Sequence, residues 1–278
     1  MEDLSKFDEI EDCIRWYPCN LSNITEEEVF LKRSINLYVH IPFCKGGCLF
    51  CPFNKIFYNE SLVDEYVESL GKEIELISKK INLKELNIRT IWIGGGTPSD
   101  LNEKQIDRVF KLLETNFNYS NIEITFEGIA DKNSWNLKKI NVLKRHSVTR
   151  ISLGVQSLND KYLKIMGRRY SSAHAFETID LLNKNSFIVN TDMIYRLPGQ
   201  TIDEVREDIN KVISTNVAHI TCFPFMIIRK TPIKRLIESG KLPPRPDKRK
   251  YLKMYKAITK LLNSNQYFEY TPYHFAKE

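Results

Sequence analysis

Short runs rich in β-branched and aromatic residues alternate with longer runs of helical periodicity along most of this chain, and this alternation limits its fold more than any other feature. The strand-like runs are 35–41, 89–94, 121–126, 149–154, 186–193 and 217–225. Between them, 61–81, 102–116, 133–146, 159–166 with 172–184, and 201–215 place apolar residues three and four apart, as in Leu62, Tyr66, Val67, Leu70, Ile74 and Ile77. Thr201 followed by Glu204 has the form of a capping box opening the last of these. Six strands separated by five helical segments read as consecutive βαβ units, an α/β architecture with a parallel sheet. An open doubly wound sheet and a complete or partial barrel both satisfy the pattern.

Composition excludes other classes. With 278 residues, 42% apolar and 27% charged, and only 11 Gly and 11 Pro, the chain is neither disordered nor a small disulfide scaffold. The N-terminus, MEDLSKFDEIED, is acidic where a signal peptide is basic, and the longest apolar run, Cys222 to Ile228, is too short to span a bilayer. A cytoplasmic protein that does not enter a membrane is expected. The expected organisation is an acidic lead-in over 1–34, a core over 35–228, and a basic helical extension with a tail over 229–278, including an amphipathic helix over 246–263. The net charge of +6 is uneven: 229–256 holds eleven Lys and Arg against Glu238 and Asp247. Such a run reads as a solvated helix face and loop, with an anionic ligand as the alternative. No aromatic-plus-glycine RNA motif accompanies it, so a nucleic-acid partner is not expected.

The unusual residues share one location. Cysteines follow the first strand, Gly94-Gly95-Gly96 ends the second, Glu127 ends the third, Gln156 follows the fourth and Asp192 ends the fifth. In parallel α/β folds the C-terminal strand ends form the active edge, so these features converge on one pocket. The cysteine segment IPFCKGGCLFCPFN has C-x3-C-x2-C spacing, while Cys13, Cys19 and Cys222 are scattered. Three thiolates from one loop suit three irons of a [4Fe–4S] cube, leaving the fourth iron open. A zinc site wants a fourth ligand nearby, and a redox pair needs no third cysteine. Both remain alternatives on residue chemistry alone.

The C-x3-C-x2-C loop, the preceding YVHIPFC, and the segments IGGGTPS, RISLGVQSLND and DMIYRLPGQT together resemble radical S-adenosylmethionine (SAM) enzymes. The resemblance is to the oxygen-independent coproporphyrinogen III oxidase-like group, with its haem-chaperone and radical-methyltransferase branches. It runs from about Tyr38 to Pro198 in the family's order. It implies a partial (β/α)6 TIM-type barrel, with Cys44, Cys48 and Cys51 holding the [4Fe–4S] cluster and SAM on the open iron. It further implies that Tyr38 lies beside them and that Gly95, Gly96 and Thr97 meet the methionine amino end. Glu127, Gln156 and Arg168 align with residues gripping the SAM carboxylate and ribose, Asp192 with the ribose-binding carboxylate, and Ile194 with the apolar contact under adenine. The implied chemistry is reductive cleavage of SAM to methionine and a 5′-deoxyadenosyl radical, for methyl transfer to, or modification of, a tetrapyrrole or similar planar anionic molecule. An electron donor such as flavodoxin or ferredoxin is the implied partner.

Bland alternatives exist for single residues: a tight βα turn for the triple glycine, a helix cap for Gln156, and a surface helix-end cation for Arg168. Asp192 is harder to dismiss, because an unpaired carboxylate on a buried strand costs several kcal/mol. The chain also departs from the pattern. Phe53 stands where the decarboxylating oxidases carry a fourth cysteine; Glu127-Gly128-Ile129-Ala130 replaces the common Glu-Ala-Asn-Pro; Arg196 replaces the usual Gly before Leu-Pro, putting a cation near the active edge. Two rivals follow from the resemblance and the charge run: a haem carrier that turns nothing over, for which the five histidines are too scattered to name a ligand, and an RNA-modifying radical enzyme. The family normally continues into a C-terminal domain, so a core completed by a partner or a shortened sequence is expected.

Overall fold

Helix starts along the chain are written in its Asn, Ser, Thr and Asp residues. The computed structural model describes residues 34–277; most of the expected 1–34 lead-in, with Cys13 and Cys19, lies outside them. The elements are β1 Ser34–Ile41, β2 Phe43–Cys44, β3 Ile56–Phe57, α1 Glu60–Ser78, β4 Asn87–Gly95, α2 Glu103–Asn116, β5 Glu123–Ile129, α3 Leu137–Arg145, β6 Arg150–Gln156, α4 Asp160–Ile165, α5 Ser172–Lys184, β7 Ile188–Tyr195, α6 Ile202–Ser214, β8 His219–Pro224, α7 Pro232–Glu238, α8 Lys248–Asn263, β9 Tyr267–Thr271 and β10 His274–Lys277. Asn59, Asn102, Asn136, Asn159, Ser171, Thr201 and Asp247 each accept a hydrogen bond from the first turn of the helix that follows. Each such cap is worth about 1 kcal/mol. The capping box expected at Thr201 and Glu204 is formed, and Asn102 with Gln105 makes a second.

The main sheet runs β1-β4-β5-β6-β7-β8-β10-β9. Its first six strands are parallel and joined by helices, the partial (β/α)6 barrel implied by the resemblance. The last two, β10 and β9, run antiparallel beside β8. They come from the segment read as a tail: Pro272 and Tyr273, the latter at φ 71, turn a hairpin too short to register as two strands in the sequence. The helix expected over 133–146 starts later, because Asp131 caps a short 3-10 turn and Asn136 caps α3 anew.

Strand alternation separates two faces. Ile93, Phe126, Ile151, Leu153 and Val189 turn outward against the helices and are buried. Glu127, Ser152 and Asn190, in register across β5 to β7, share the opposite, concave face with Trp92 of β4, which is paired with Thr125, two residues before Glu127. No helix among the described residues is long and apolar enough to cross a membrane.

Asp208 on α6 fixes the loop directly after β6, accepting from Ser157 Oγ and from Leu158 N at 2.8 Å. Burial pushes its carboxyl up to about 6, against those bonds. A raised carboxyl contributes stability below its unfolded value and loses it as pH rises through the folded one, here ~3 kcal/mol between roughly pH 4 and 6. Asp208→Asn is expected to flatten the fall of unfolding free energy over that interval in urea titrations. An unchanged slope contradicts this assignment.

Candidate functional site

The site is built where the end of β4 meets the cysteine loop. Gly96 N donates to Ile41 O at 2.7 Å and Thr97 N to Phe43 O at 2.8 Å, prolonging the β1–β4 pairing beyond the strands. A Cβ on Gly96 would lie 2.7 Å from Phe43 O, and one on Gly95, at φ 118, would lie 2.8 Å from the His40 ring. Only glycine permits this approach. The triple glycine is therefore the end of β4 and the first residue beyond it, packed against the chain's own loop. Thr97 Oγ1 consequently sits 3.2 Å from Cys44 Sγ. Lys45 N donates to Asp100 Oδ2 at 2.7 Å, and Leu49 N to Met166 O at 3.0 Å, pinning the loop on either side of Cys48.

Arg168 ties the loop to β6. Its guanidinium donates to Cys48 Sγ at 3.0 Å, to Gly154 O at 2.7 Å and to Tyr170 Oη at 3.1 Å, and it lies over the Phe50 and Tyr170 rings. Burial works against its charge, but Tyr170 and Cys48 outweigh it and the pKa is raised. The surface-cation alternative for Arg168 thus fails. The helix-cap alternative for Gln156 fails too, since Asn159 caps α4; Gln156 instead ends β6 at φ 67, a left-handed conformation unusual for its type.

Glu127 accepts from Trp92 Nε1 at 2.7 Å and Gly95 N at 3.1 Å; burial and then, among the raising influences, Asp192 lift its pKa, against those two bonds. Asp192 is level with Gly154 and is not unpaired: it accepts from Ser152 Oγ at 3.0 Å and Asn190 Nδ2 at 2.8 Å, while burial raises its pKa. Ile194 follows two residues on, half-buried beside Phe223 of β8. Tyr38, 54% exposed on the concave face, bonds His40 Nδ1 at 3.0 Å; burial and then Glu127 push its hydroxyl up to about 12. All twelve residues singled out in the sequence thus lie on or beside one edge and its concave face. Arg196 does not join them. At φ 63 it occupies the left-handed turn that glycine suits, is buried beneath α8, donates Nε to Pro246 O at 2.7 Å and lies over Tyr251.

Sequence reasoning missed a supporting network. Arg169 binds Asp100 and, at 3.0 Å, Asp131, and Lys139 donates to Ser99 O and Ser134 O at 2.6 Å. Burial lowers the Lys139 amine to about 8. The signals were the doubled arginine of MGRRY and the polar Pro98-Ser99-Asp100 directly after the glycines. The histidines held another surprise: His219 and His274 come together on the concave face, and burial followed by Arg150 lowers both pKa values.

The donor set fits an iron–sulfur cube. Cys44, Cys48 and Cys51 are free thiols, each half-buried, and no three Cys, His, Asp or Glu side chains among the described residues are grouped to hold a single metal ion. Three thiolates supplied by one loop match three iron corners of such a cube, whereas a closed structural zinc site takes four ligands.

The family model for the radical SAM superfamily matches residues 38–212, and the chain belongs to that superfamily. Within it, similarity falls to the coproporphyrinogen oxidase-like HemN/HemW group. The heme chaperone HemW of Bacillus subtilis is 30% identical over 241 residues, covering 86% of this chain and 63% of that protein. HemW of Lactococcus lactis is 32% identical over 243 residues, covering 86% and 62%. The structure of coproporphyrinogen III oxidase HemN from Escherichia coli superposes with a TM-score of 0.83 at 26% identity, covering 99% of this chain and 64% of that one. The chain therefore spans less than two thirds of the length of these relatives.

The Gly128 departure has a packing cause. A Cβ there would lie 2.3 Å from Trp135 Cζ2, and Trp135 Nε1 donates to Ile129 O at 2.8 Å. Gly128→Ala is expected to cost about 1–3 kcal/mol in chemical unfolding. In a double-mutant cycle with Trp135→Leu, a coupling of about 0.5–3 kcal/mol is expected. Additive effects contradict the contact.

Proposed function

We propose that this chain is a haem-carrying radical SAM protein of the HemW type, which keeps a cluster and SAM site beside its haem-binding role. The observation that carries the reading is the extended similarity to proteins named heme chaperone, 30% and 32% identical over 86% of this chain. Phe53, 52% exposed where the oxidases carry a further cysteine, favours it over coproporphyrinogen oxidation. Methyl transfer gains nothing from the relatives described above, none of which is named for it.

On this reading Cys44, Cys48 and Cys51 would hold the [4Fe–4S] cluster, and residues at the ends of β4 to β7 would hold SAM. When bound and reduced by an external donor such as flavodoxin or ferredoxin, the cluster supplies one electron to SAM. The chain's own residues do the placing. Arg168 donates to Cys48 Sγ and sets a fixed cation beside the cluster, an outer-shell influence on its potential. Thr97 orients Cys44. Asp192, held by Ser152 and Asn190, would hold the ribose, and the half-buried Ile194 would offer apolar surface to adenine. Glu127, Gln156 and Tyr38 present polar groups to the rest of SAM from the same face.

Anaerobic reconstitution of the chain with iron and sulfide, followed by haem titration, tests the reading. A saturable complex of one haem per chain is expected, with no decarboxylated product from coproporphyrinogen III. Failure to bind haem, or turnover of coproporphyrinogen, contradicts it.

A further inference from the structure

The concave face carries a group of side chains that the cluster and SAM do not use. His274 of β10 meets Phe223 edge-on at 5.4 Å between centroids and Tyr270 at 6.1 Å; His219 of β8 meets Tyr270 edge-on at 6.0 Å. Phe223 and Tyr270 are 40% and 57% exposed, so this corner offers open aromatic surface beside two imidazoles.

Hydrogen bonding assigns the protons of both rings. Ser152 Oγ gives its one proton to Asp192 at 3.0 Å and so accepts from Asn190 at 3.1 Å, which makes the Asn190 group that meets Ser152 and, at 2.8 Å, Asp192 the amide NH2. The Asn190 carbonyl must then face Thr221, and a carbonyl only accepts, so the Thr221 hydroxyl gives it its one proton at 3.0 Å. The 3.2 Å contact between Thr221 Oγ1 and His274 Nδ1 is therefore donated by the imidazole. His274 is protonated on Nδ1, and its Nε2 is a bare lone pair. His219 is the opposite tautomer: Arg150 donates to its Nδ1 at 3.4 Å, leaving the proton on Nε2. A neutral imidazole whose Nδ1–H is anchored by an oxygen, with Nε2 free, is the arrangement of a metal-ligating histidine.

We propose that His274 Nε2 is the axial nitrogen through which this chain binds the iron of a metalloporphyrin, with Phe223 and Tyr270 as apolar contacts beside the macrocycle. The assignment rests on the haem-carrying reading above and supplies its missing ligand. Thr221 is a positioning residue: it sets the tautomer and holds the ring plane, and through Asn190 it links the iron ligand to Asp192. Coordination replaces a solvent ligand on iron and transfers no electron.

Ferric haem titrated into the full chain labelled with 15N-histidine tests this. Electron–nuclear double resonance is expected to show one strongly coupled histidine nitrogen. His274→Ala is expected to weaken haem binding at least tenfold and erase that coupling, with free imidazole restoring the wild-type visible spectrum, while His219→Ala keeps it. In the ferrous complex, Thr221→Val is expected to lower the iron–imidazole stretching frequency in resonance Raman, since the Nδ1–H loses its acceptor. If the wild-type chain binds no haem, the haem-carrying reading itself falls. If it binds haem without a coupled histidine nitrogen, or if folded His274→Ala matches wild type in affinity and spectrum, this ligand assignment alone is overturned.

Discussion

Everything at the active edge depends on how closely the end of β4 approaches the cysteine loop. The two backbone bonds from Gly96 and Thr97 to Ile41 and Phe43 are 2.7 and 2.8 Å long, and any side chain at 95 or 96 would collide with the loop or with His40. Because this contact is backbone to backbone, it fixes where the loop leaves the sheet regardless of the loop's own sequence. Cys44 then falls against Thr97, and Lys45 N against Asp100. The glycines thus act first on the protein's own geometry, and a ligand's approach inherits that geometry.

The charges around the loop serve position more than stability. Arg168 and Arg169 are adjacent in sequence yet face different tasks: one reaches Cys48 and the carbonyl of Gly154, the other Asp100 and Asp131. Partly buried ion pairs of this kind return little net stability once desolvation is counted, whereas removing one partner strands the other. Their value lies in fixing loop, β4 end and β6 end relative to one another. Tyr170 reinforces this, its single hydroxyl proton shared between the carbonyls of Gly154 and Val155, the residues just before the strained Gln156.

The fold was legible because hydrophobic periodicity and capping chemistry are local: the strand over 149–154 and the box at Thr201 and Glu204 need no knowledge of distant residues. The cysteine spacing and the polar residues at strand ends were legible for the same reason. Long-range pairing was not. The contact between Arg168 and Cys48 spans 120 positions, and that between Thr221 and His274 spans 53. Arg196, a cation expected near the active edge, is turned under α8 by a left-handed backbone that no side-chain pattern announces. The hairpin over 267–277 escaped notice because strands of five and four residues carry too little alternation to read.

The central claim is that three thiolates on one loop hold a cluster whose remaining iron meets SAM. Electron paramagnetic resonance of the reconstituted, dithionite-reduced chain, recorded with and without SAM, tests it most directly. The account predicts a reduced [4Fe–4S] signal that is abolished by changing Cys44, Cys48 or Cys51 to Ala and that shifts in g-values when SAM is added. A signal indifferent to SAM, or one that survives loss of a cysteine, would contradict it.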